Sequence, residues 1–466
     1  MFRADDIIYA PATGNGGAIS IVRISGAGSL EMLDSIVVLR RGKVSEAPGF
    51  SLRFGEIEGL DQVLVSIFRA PQSYTGEDMA EVSCHASSYI VSTLLERLSV
   101  FGARLAEPGE FTQRAYLNGK MDLAQAEAVA DVISSVSSAQ HRVALNQLRG
   151  GYSAELSQIR MQLLELASLL ELELDFSEED VEFADRERLR SLLVPAIAHC
   201  SRLADSFRTG NAVRNGVPVA IVGAPNSGKS TLLNALLQDD RAIVSDIPGT
   251  TRDTVEETCV IDGILFRFID TAGIRESSDT IERLGIERTY RKLSEAMIVL
   301  GLIDGADGAL SGSLEEAVSP IASLVDFETQ KLVILVNKAD LGGCNKNVIG
   351  WNNNVSSIDY KGFEVPVLTI SAKTGFGLDS LRSTLVSSTG ITSSTGTLVT
   401  NARHAAALRD VATSLSAVLS GLDSNLPTDL LAEDLRTALE SLGTITGAIT
   451  TDEVLGEIFS NFCIGK

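Results

Sequence analysis

Residues Gly223 to Ser230 have the composition and spacing of a phosphate-binding loop. The run reads GAPNSGKS, which fits G-x-x-x-x-G-K-[ST], and it lies between VPVAIVG and TLLNALL, which predict a strand and a helix. The glycines let backbone N–H groups turn toward phosphate oxygens at a helix N-terminus. We expect Lys229 to reach the terminal phosphates and the Ser230 hydroxyl to coordinate Mg²⁺. The alternative, a glycine-rich turn with an exposed lysine, is disfavoured by the strand–loop–helix context.

Three further polar segments follow predicted strands in the order typical of GTP-binding domains. The segment 270–273 (DTAG) follows LFRFI, 337–340 (NKAD) follows LVILV, and 371–373 (SAK) follows VPVLTI. The carboxylate of the second segment can accept both N1–H and the 2-amino group of guanine, a pair of donors that adenine does not offer. A fourth segment, 246–253 (DIPGTTRD), places two threonines to close over Mg²⁺.

Together these segments predict a GTP/GDP site with bound Mg²⁺. The predicted nucleotide-binding residues are Asn226, Ser227, Gly228, Lys229, Ser230, Thr231, Ser245, Thr250, Thr251, Asp270, Gly273, Asn337, Lys338, Asp340, Ser371 and Ala372. Within this set Ser230 and Thr251 are the predicted Mg²⁺ ligands.

The residue after Gly273 is aliphatic, Ile274, and cannot hydrogen-bond an attacking water. Another group must therefore orient that water. Glu282, in the charged stretch 279–283, is our candidate catalytic residue. On charge pattern alone, a solvated helix face explains Glu282 as well, so both interpretations stay open.

The elements that carry these segments predict a multidomain α+β chain. Between 217 and 386, five short apolar runs alternate with helical segments: VPVAIVG, LFRFID, AMIVLGLID, KLVILVN and VPVLTIS. This is the pattern of parallel strands buried on both faces in a Ras-like α/β domain. Residues 119–210 and 397–466 have helical periodicity, so we predict one helical domain into which the α/β domain is inserted. Residues 1–118 read as a mixed α+β domain, with strands at 19–25 and 63–68.

Three local features refine this prediction. The run from Asp122 to Leu148 contains no proline and predicts a helix with Asp122 as its N-cap. A second helix follows Gly151, and a third ends near Arg208, where the polar residues 209–211 predict a break. The Ser/Thr/Gly-rich stretch 387–396 predicts a flexible linker.

The composition limits the partners of the chain. Its 61 Asp and Glu against 39 Lys and Arg give a net charge of −22 in 466 residues. Such a field repels phosphate backbones, so a nucleic-acid substrate requires a local basic patch or a basic partner. Five scattered cysteines, no apolar run of membrane-spanning length and acidic residues near the N-terminus predict a soluble, cytoplasmic protein that does not engage a membrane.

The segments GAPNSGKST, SDIPGTTRD, DTAG and NKAD resemble the translation-factor-type GTPases that include Era and EngA. The rest of the chain is more specific. The runs DIIYAPAT, GGAISIVRISG, YTGEDMAEVSCH, RLAEPGEFTQRAYLNGKMDLAQAEAVADVI and the terminal FCIGK resemble the MnmE (TrmE) family of tRNA-modification GTPases. This resemblance extends in family order from residue 6 to residue 466.

The resemblance implies an activity and partners. Such proteins act with an MnmG-like FAD-dependent protein to add an aminomethyl or carboxymethylaminomethyl group to C5 of the wobble uridine of certain tRNAs. A tetrahydrofolate derivative, in a 5-formyl or 5,10-methylene form, supplies the carbon and binds the N-terminal domain, through which the protein forms a homodimer. GTP hydrolysis is stimulated by K⁺ and by the approach of two GTPase domains.

The resemblance also implies roles for individual residues. Folate contacts fall on Arg23, Glu81, Lys120 and Lys466. The K⁺ ligands fall on Asn226, Ser245, Thr250 and the carbonyl of Ile247. Glu282 falls on the family's water-orienting glutamate.

Several of these residues have simpler explanations. Arg23 interrupts an apolar strand and therefore needs a partner, which a structural salt bridge would supply as well as a ligand. Glu81 is open to the same alternative. Cys463 is a candidate nucleophile toward C6 of the uridine if a cation such as Lys466 lowers its pKa, but a small buried hydrophobic residue is the alternative.

Two other functions stay open from the sequence. One is a non-catalytic, Era/EngA-like switch GTPase of ribosome assembly, which would be expected to carry a basic RNA-binding appendage. The other is a folate-dependent one-carbon transferase that acts on small molecules and is regulated by GTP. The acidic balance and the lack of a basic C-terminal module disfavour the switch GTPase.

Overall fold

In a computed structural model, the chain divides into two compact units. The first comprises Met1–Ile133, Gln147–Ala196 and Thr413–Lys466, and the second comprises Ser134–Asn146 and Ile197–Ala412. The structure describes residues 6–14, 16–175, 186–240, 257–269, 293–306, 314–341, 355–391, 396–460, 462, 464 and 465. The multidomain α+β class predicted from the sequence is confirmed, whereas the boundaries at 118, 210, 217, 386 and 397 stay predictions.

The first unit contains a seven-stranded sheet in the order β3-β4-β5-β6-β2-β1-β7. Its strands are β1 (Ile8–Pro11), β2 (Ile19–Ser25), β3 (Val38–Leu39), β4 (Ser51–Ile57), β5 (Asp61–Phe68), β6 (Met79–His85) and β7 (Arg104–Leu105). Both predicted strands are present, and the second begins two residues earlier than expected. Neighbouring strands are antiparallel except for β1 and β7. Helices α1 (Ser29–Leu33), α2 (Ser88–Val100) and α3 (Glu110–Leu117) complete this part of the unit.

The remaining helices of the first unit pack through apolar stripes. They are α4 (Leu123–Ser134), α6 (Gly151–Asp175), α13 (Thr428–Thr446) and α14 (Asp452–Ser460), together with parts of α7 (Arg186–Asp205) and α12 (Ala402–Asp423). One apolar stripe of α6 is buried, and α6 packs along α13; the stripe consists of Leu156, Ile159, Leu163, Leu166 and Leu170. Within the described ranges, no helix has both the length and the apolar character needed to cross a membrane.

The helix predicted from Asp122 to Leu148 is two helices, because a second cap interrupts it. Asp122 caps α4 as expected: its Oδ1 accepts the N–H of Gln125 at 2.8 Å. After α4, the side-chain oxygen of Gln140 accepts the N–H groups of Val136 and Ser137 at 2.9 and 3.0 Å. These bonds satisfy the free donors at the start of α5 (Ser138–Leu148), which therefore begins anew.

The second unit is built on another seven-stranded sheet, in the order β13-β14-β12-β11-β8-β10-β9. The five predicted strands form its parallel centre: β8 (Val217–Gly223), β10 (Ile264–Ile269), β11 (Ile298–Asp304), β12 (Lys331–Asn337) and β14 (Phe363–Thr369). The strands β9 (Glu257–Ile261) and β13 (Val355–Tyr360) pair antiparallel at its two edges and were not predicted. Helices α8 (Phe207–Asn215), α9 (Lys229–Asp240), α10 (Leu314–Ala322) and α11 (Leu378–Ser388) also belong to this unit.

The break predicted at residues 209–211 is wrong, because all three lie inside α8. Gly210 serves packing there: a Cβ at this position would lie 2.1 Å from the carbonyl oxygen of Val399. Glycine is thus required by close backbone contact, although it is a poor helix former. Of the predicted linker, Ser387 and Ser388 complete α11, whereas 392–395 lie outside the described residues.

Candidate nucleotide and folate sites

The phosphate-binding loop joins the end of β8 to the start of α9, as the sequence predicts. Asn226 and Gly228 have φ of +62° and +102°, so the chain turns sharply before the helix. The ammonium of Lys229 reaches back over the loop and donates to the carbonyls of Gly223 and Ala224 at 2.7 and 3.0 Å. The hydroxyl of the buried Ser227 has no hydrogen-bond partner within the described part of the chain. A helix N-terminus, a lysine lying over the loop and a spare buried donor fit a phosphate group.

Asn337 connects this loop to the segment that follows β14. Its Nδ2 donates to the carbonyl of Ser227 at 2.8 Å, and its Oδ1 accepts the N–H of Ala372 at 2.9 Å. A Cβ on Gly228 would lie 2.3 Å from the same Nδ2. Glycine is therefore needed at 228 both for its backbone conformation and for this contact.

Asp340 is positioned by the serine of the third predicted segment. The Ser371 hydroxyl donates to its Oδ1 at 2.7 Å. This hydrogen bond, helped by Lys373 and Lys338, lowers the pKa of the Asp340 carboxyl below its ordinary value of 3.8. Asp340 is exposed and ionised at neutral pH, so its second oxygen remains available to an external N–H donor.

Lys338 is held by a residue that the motifs did not include. It adopts a φ of +66° and forms an ion pair with Asp304, the last residue of β11. Burial alone would raise the pKa of Asp304, but the hydrogen bonds from Lys338 and the N–H of Ala306 outweigh burial and lower it. The only sequence signal for Asp304 was its position at the end of an apolar run, which places it at the same sheet edge as the phosphate-binding loop.

Nine of the predicted site residues lie outside the described residues. They are Ser245, Ile247, Thr250, Thr251, Asp270, Gly273, Glu282, Cys463 and Lys466. The predicted Mg²⁺ and K⁺ sets are thus represented in the structure by Ser230 and Asn226, both exposed on the loop.

In the first unit, Arg23 and Glu81 face each other across β2 and β6. The Nε and Nη2 atoms of Arg23 lie 3.0 and 2.9 Å from Oε1 of Glu81. Both side chains keep about one fifth of their surface exposed. Oε2 of Glu81 has no hydrogen bond to any described residue, so the pair retains an acceptor on its open side.

The surroundings of Arg23 are aromatic and include the C-terminal segment. The guanidinium lies 5.4 and 5.7 Å from the ring centres of Tyr74 and Phe111. Its Nη1 donates to the carbonyl of Gly465 at 3.3 Å. Gly465 in turn packs so closely on β1 that a Cβ there would lie 2.2 Å from the carbonyl oxygen of Pro11. Gly465 is thereby held beside the Arg23–Glu81 pair.

Lys120 lies along the loop that carries Tyr74. Its Nζ donates to the carbonyl of Pro71 at 2.8 Å, and its aliphatic stem packs against Gly76. Arg23 thus contacts the aromatic ring of this loop and Lys120 contacts its backbone, whereas Glu81 is joined to Arg23. The Tyr74 ring, the free Oε2 of Glu81 and the exposed Lys120 suit a flat, polar heterocycle with an acidic tail, so these residues fit a folate.

The family comparisons match both parts of the chain. Residues 7–120 match the family described as GTP-binding protein TrmE N-terminus, and residues 123–463 match the MnmE helical domain. A relative from Bacteroides fragilis described as tRNA modification GTPase MnmE is 49% identical, over 99% of both chains. The chain belongs to the MnmE family. An MnmE relative from Flavobacterium johnsoniae is 47% identical over 100% of this chain and 100% of its own length. Another, from Cytophaga hutchinsonii, is 46% identical over 99% of this chain and 98% of its own length.

A buried ionic network of this MnmE chain was missed by sequence reasoning. The Glu110 carboxylate, fully buried at the start of α3, accepts hydrogen bonds from Arg104 at 2.8 Å and from Arg114 at 3.0 Å. Arg114 also contacts Asp6 and Glu77, and Glu77 accepts the Ser25 hydroxyl at 2.8 Å. The network therefore fixes α3, which carries Phe111, to the strand that carries Arg23.

Proposed function

We propose that this chain, as an MnmE-family tRNA-modification GTPase, binds and hydrolyses GTP in its second unit. The observation that carries the proposal is the double hydrogen bond of Asn337, which links the phosphate-binding loop to the segment after β14. Lys229 and the loop amides hold the phosphates, and Asp340 accepts the two donors of guanine. Bound Mg²⁺ supplies charge neutralisation at the phosphates, with Ser230 and Thr251 as its protein ligands.

We further propose that K⁺ stimulates hydrolysis. Asn226, Ser245, Thr250 and the Ile247 carbonyl hold this ion, and Glu282 orients the water. Support comes from Asn226, an exposed residue of the phosphate-binding loop that turns the chain at a positive φ. The test compares hydrolysis rates in potassium and sodium salts, for the wild type and for N226A. Equal rates of the wild type in both salts would remove the K⁺ assignment and leave the GTPase assignment intact.

The first unit is proposed to bind a tetrahydrofolate derivative, in its 5-formyl or 5,10-methylene form, which supplies a one-carbon unit when bound. Glu81 accepts the amino and ring N–H groups of the pterin, Arg23 fixes that carboxylate, and Lys120 and Lys466 attract the acidic tail. Support comes from the free oxygen of Glu81 and the rings beside Arg23. Binding of 5-formyltetrahydrofolate, measured by calorimetry, should be lost in E81A and kept in E56A, which removes an exposed glutamate of β4.

The carbon is proposed to reach C5 of the wobble uridine of certain tRNAs, as an aminomethyl or carboxymethylaminomethyl group. We propose that the chain acts with an MnmG-like FAD-dependent protein. We also propose that it forms a homodimer through the N-terminal domain and that it is located in the cytoplasm. Cys463 stays a candidate nucleophile. Mass analysis of wobble uridines from cells with and without the gene tests this function. An unchanged uridine profile, with binding to ribosomal subunits, would favour a switch GTPase instead.

A further inference from the structure

The loop between β3 and β4 carries a basic cleft whose residues belong to neither candidate site. The cleft has a volume of about 560 Å³. Arg40, Arg41, Lys43 and Arg53 line it, and among the described residues around it Glu46 is the one acid. We propose that this basic cleft binds the phosphate backbone of tRNA.

The loop is built to hold its cations in place. Val44 is fully buried beneath it, and its N–H donates to Oδ1 of Asp34 at 2.6 Å. From the other side, the Arg69 guanidinium donates to the carbonyl of Ala47 at 3.1 and 3.3 Å. Gly42, at a φ of +70°, turns the chain between the cations. The backbone of the loop is therefore ordered before any ligand binds. Contacts to the exposed side chains of Arg40, Arg41 and Lys43 then cost little conformational entropy of the loop.

The charges of the cleft are available to a ligand. None of its four cations forms an ion pair with any residue that the structure describes. The carboxylate of Asp34 is already engaged by the N–H groups of Val44 and Ser45. The cleft thus has four cations and one acid in its lining, whereas the chain as a whole has a net charge of −22. The field of the whole chain repels polyanions, so this local excess of positive charge is where a polyanion can bind.

The side chains of the cleft favour RNA over a small anion. The Arg40 guanidinium lies 4.4 Å from the centre of the Phe54 ring, so a planar cation is stacked on a half-buried aromatic residue. Arginine planes and aromatic rings are the surfaces on which unpaired bases stack, while neighbouring cations contact phosphates. Four cations line the cleft, which is more positive charge than one phosphate group would neutralise. The identity of the RNA as tRNA rests on the proposed function.

The test uses the full chain and an unmodified tRNA transcript with uridine at the wobble position. Binding is measured by fluorescence anisotropy from about 50 to about 200 mM salt. R40Q/R41Q/K43Q should bind about tenfold more weakly at the higher salt, and its salt slope should fall by about two to three. The matched control R149Q/R160Q/K361Q removes three exposed cations that do not line the cleft and should bind as the wild type does. The charge-preserving R40K/R41K should retain the wild-type slope.

Four outcomes would overturn the proposal. The first is that R40Q/R41Q/K43Q binds tRNA with wild-type affinity and salt slope, and the second is that the control loses as much affinity as this variant. The third is that R40K/R41K loses the salt slope. The fourth is that the triple variant binds tRNA normally but no longer binds a protein partner. If the triple variant does not fold, R41Q/K43Q replaces it, because neither side chain forms a hydrogen bond, ion pair or ring contact with a described residue. Uridine modification that requires the gene, together with tRNA binding that ignores the cleft, refutes this inference alone. Unchanged uridines in cells without the gene refute the proposed function instead.

Discussion

The side chain of Asn337 spans from the carbonyl of Ser227 to the N–H of Ala372, at 2.8 and 2.9 Å. One buried amide therefore sets the distance between the loop that would hold phosphates and the loop that would support the base. The three segments lie far apart in the sequence and meet only because β8, β12 and β14 end at the same edge of the sheet.

Replacing Asn337 with alanine should weaken guanine-nucleotide binding about tenfold to a hundredfold. The variant leaves two buried backbone groups unpaired, each at a cost of about 1–3 kcal/mol, and frees both loops. A fluorescent GDP analogue measures the affinity. N215A, which removes an exposed amide at the end of α8, is the control and should keep wild-type affinity. An unchanged affinity in N337A would show that the bridge does not order the site.

Replacing Asp340 with asparagine should change the base preference of the site. The ionised carboxylate suits the two donors of guanine, whereas an amide presents N–H groups to the guanine amino group. We expect GDP affinity to fall about tenfold to a hundredfold, and the affinity for xanthosine diphosphate, which has a carbonyl at that position, to rise. Titration with both nucleotides checks this. D379N, on a fully exposed carboxylate of α11, should leave both affinities unchanged. Equal preference in D340N and the wild type would contradict the assignment.

In the second unit, the sequence predicted the centre of the sheet better than its edge strands, for a physical reason. The strands β8, β11 and β12 are buried on both faces and therefore appear as continuous apolar runs. The edge strand β13, VSSIDY, is polar and was missed, because its neighbour β14 stabilises it through hydrogen bonds that no composition signal records.

In the candidate sites, features that depend on a local motif were likewise predicted, and features that depend on strand pairing were missed. Lys229 and Asp340 were predicted, because their motifs are local and each follows a recognisable strand. The Asp304–Lys338 ion pair was not, because it depends on which strands become neighbours. The pairing of Arg23 with Glu81 likewise depends on the register of β2 against β6, which a one-residue shift would change.

Gly263 should be more sensitive to substitution than a matched glycine in the same unit. It turns the β9–β10 hairpin at a φ of +77°, and a Cβ there would lie 2.1 Å from Oγ of Ser138 in α5. Gly362 turns the β13–β14 hairpin at a φ of +86° with nothing within 4 Å. G362A should cost only the backbone strain of about 1–2 kcal/mol, and G263A should cost more.

The double variant G263A/S138A isolates the contact. Removing Oγ relieves the collision, so the melting temperature should recover part of the loss in G263A, and hydrogen exchange of the α5 amides should slow again. Additive effects of the two substitutions would indicate that Oγ of Ser138 does not limit the size of the side chain at position 263.

The buried network around Glu110 should make the stability of the first unit sensitive to acid. Burial alone would raise the pKa of Glu110, but the hydrogen bonds from Arg104, Glu107 and Arg114 outweigh it and lower that pKa below its ordinary value of 4.5. The pKa of Asp6 is lowered in the same way below its ordinary value of 3.8, because the hydrogen bonds and charges of Arg104 and Arg114 outweigh the effect of burial. A carboxyl whose pKa is lower in the folded state stabilises the fold above its unfolded pKa. That stabilisation is lost as the pH falls through the folded pKa.

Replacing Glu110 with glutamine should lower the free energy of unfolding at neutral pH by about 3 kcal/mol, because the arginines then lose a buried counter-charge. The variant should also lose less further stability than the wild type as the pH falls below about 4.5, since the titrating carboxyl is gone. Urea unfolding at a series of pH values, followed by a probe in the first unit, measures both effects. E107Q alters an exposed neighbour whose N–H still donates to Glu110, and should follow the wild-type curve. If E110Q and the wild type lost stability in parallel on acidification, Glu110 would not be the carboxyl that makes the network sensitive to acid.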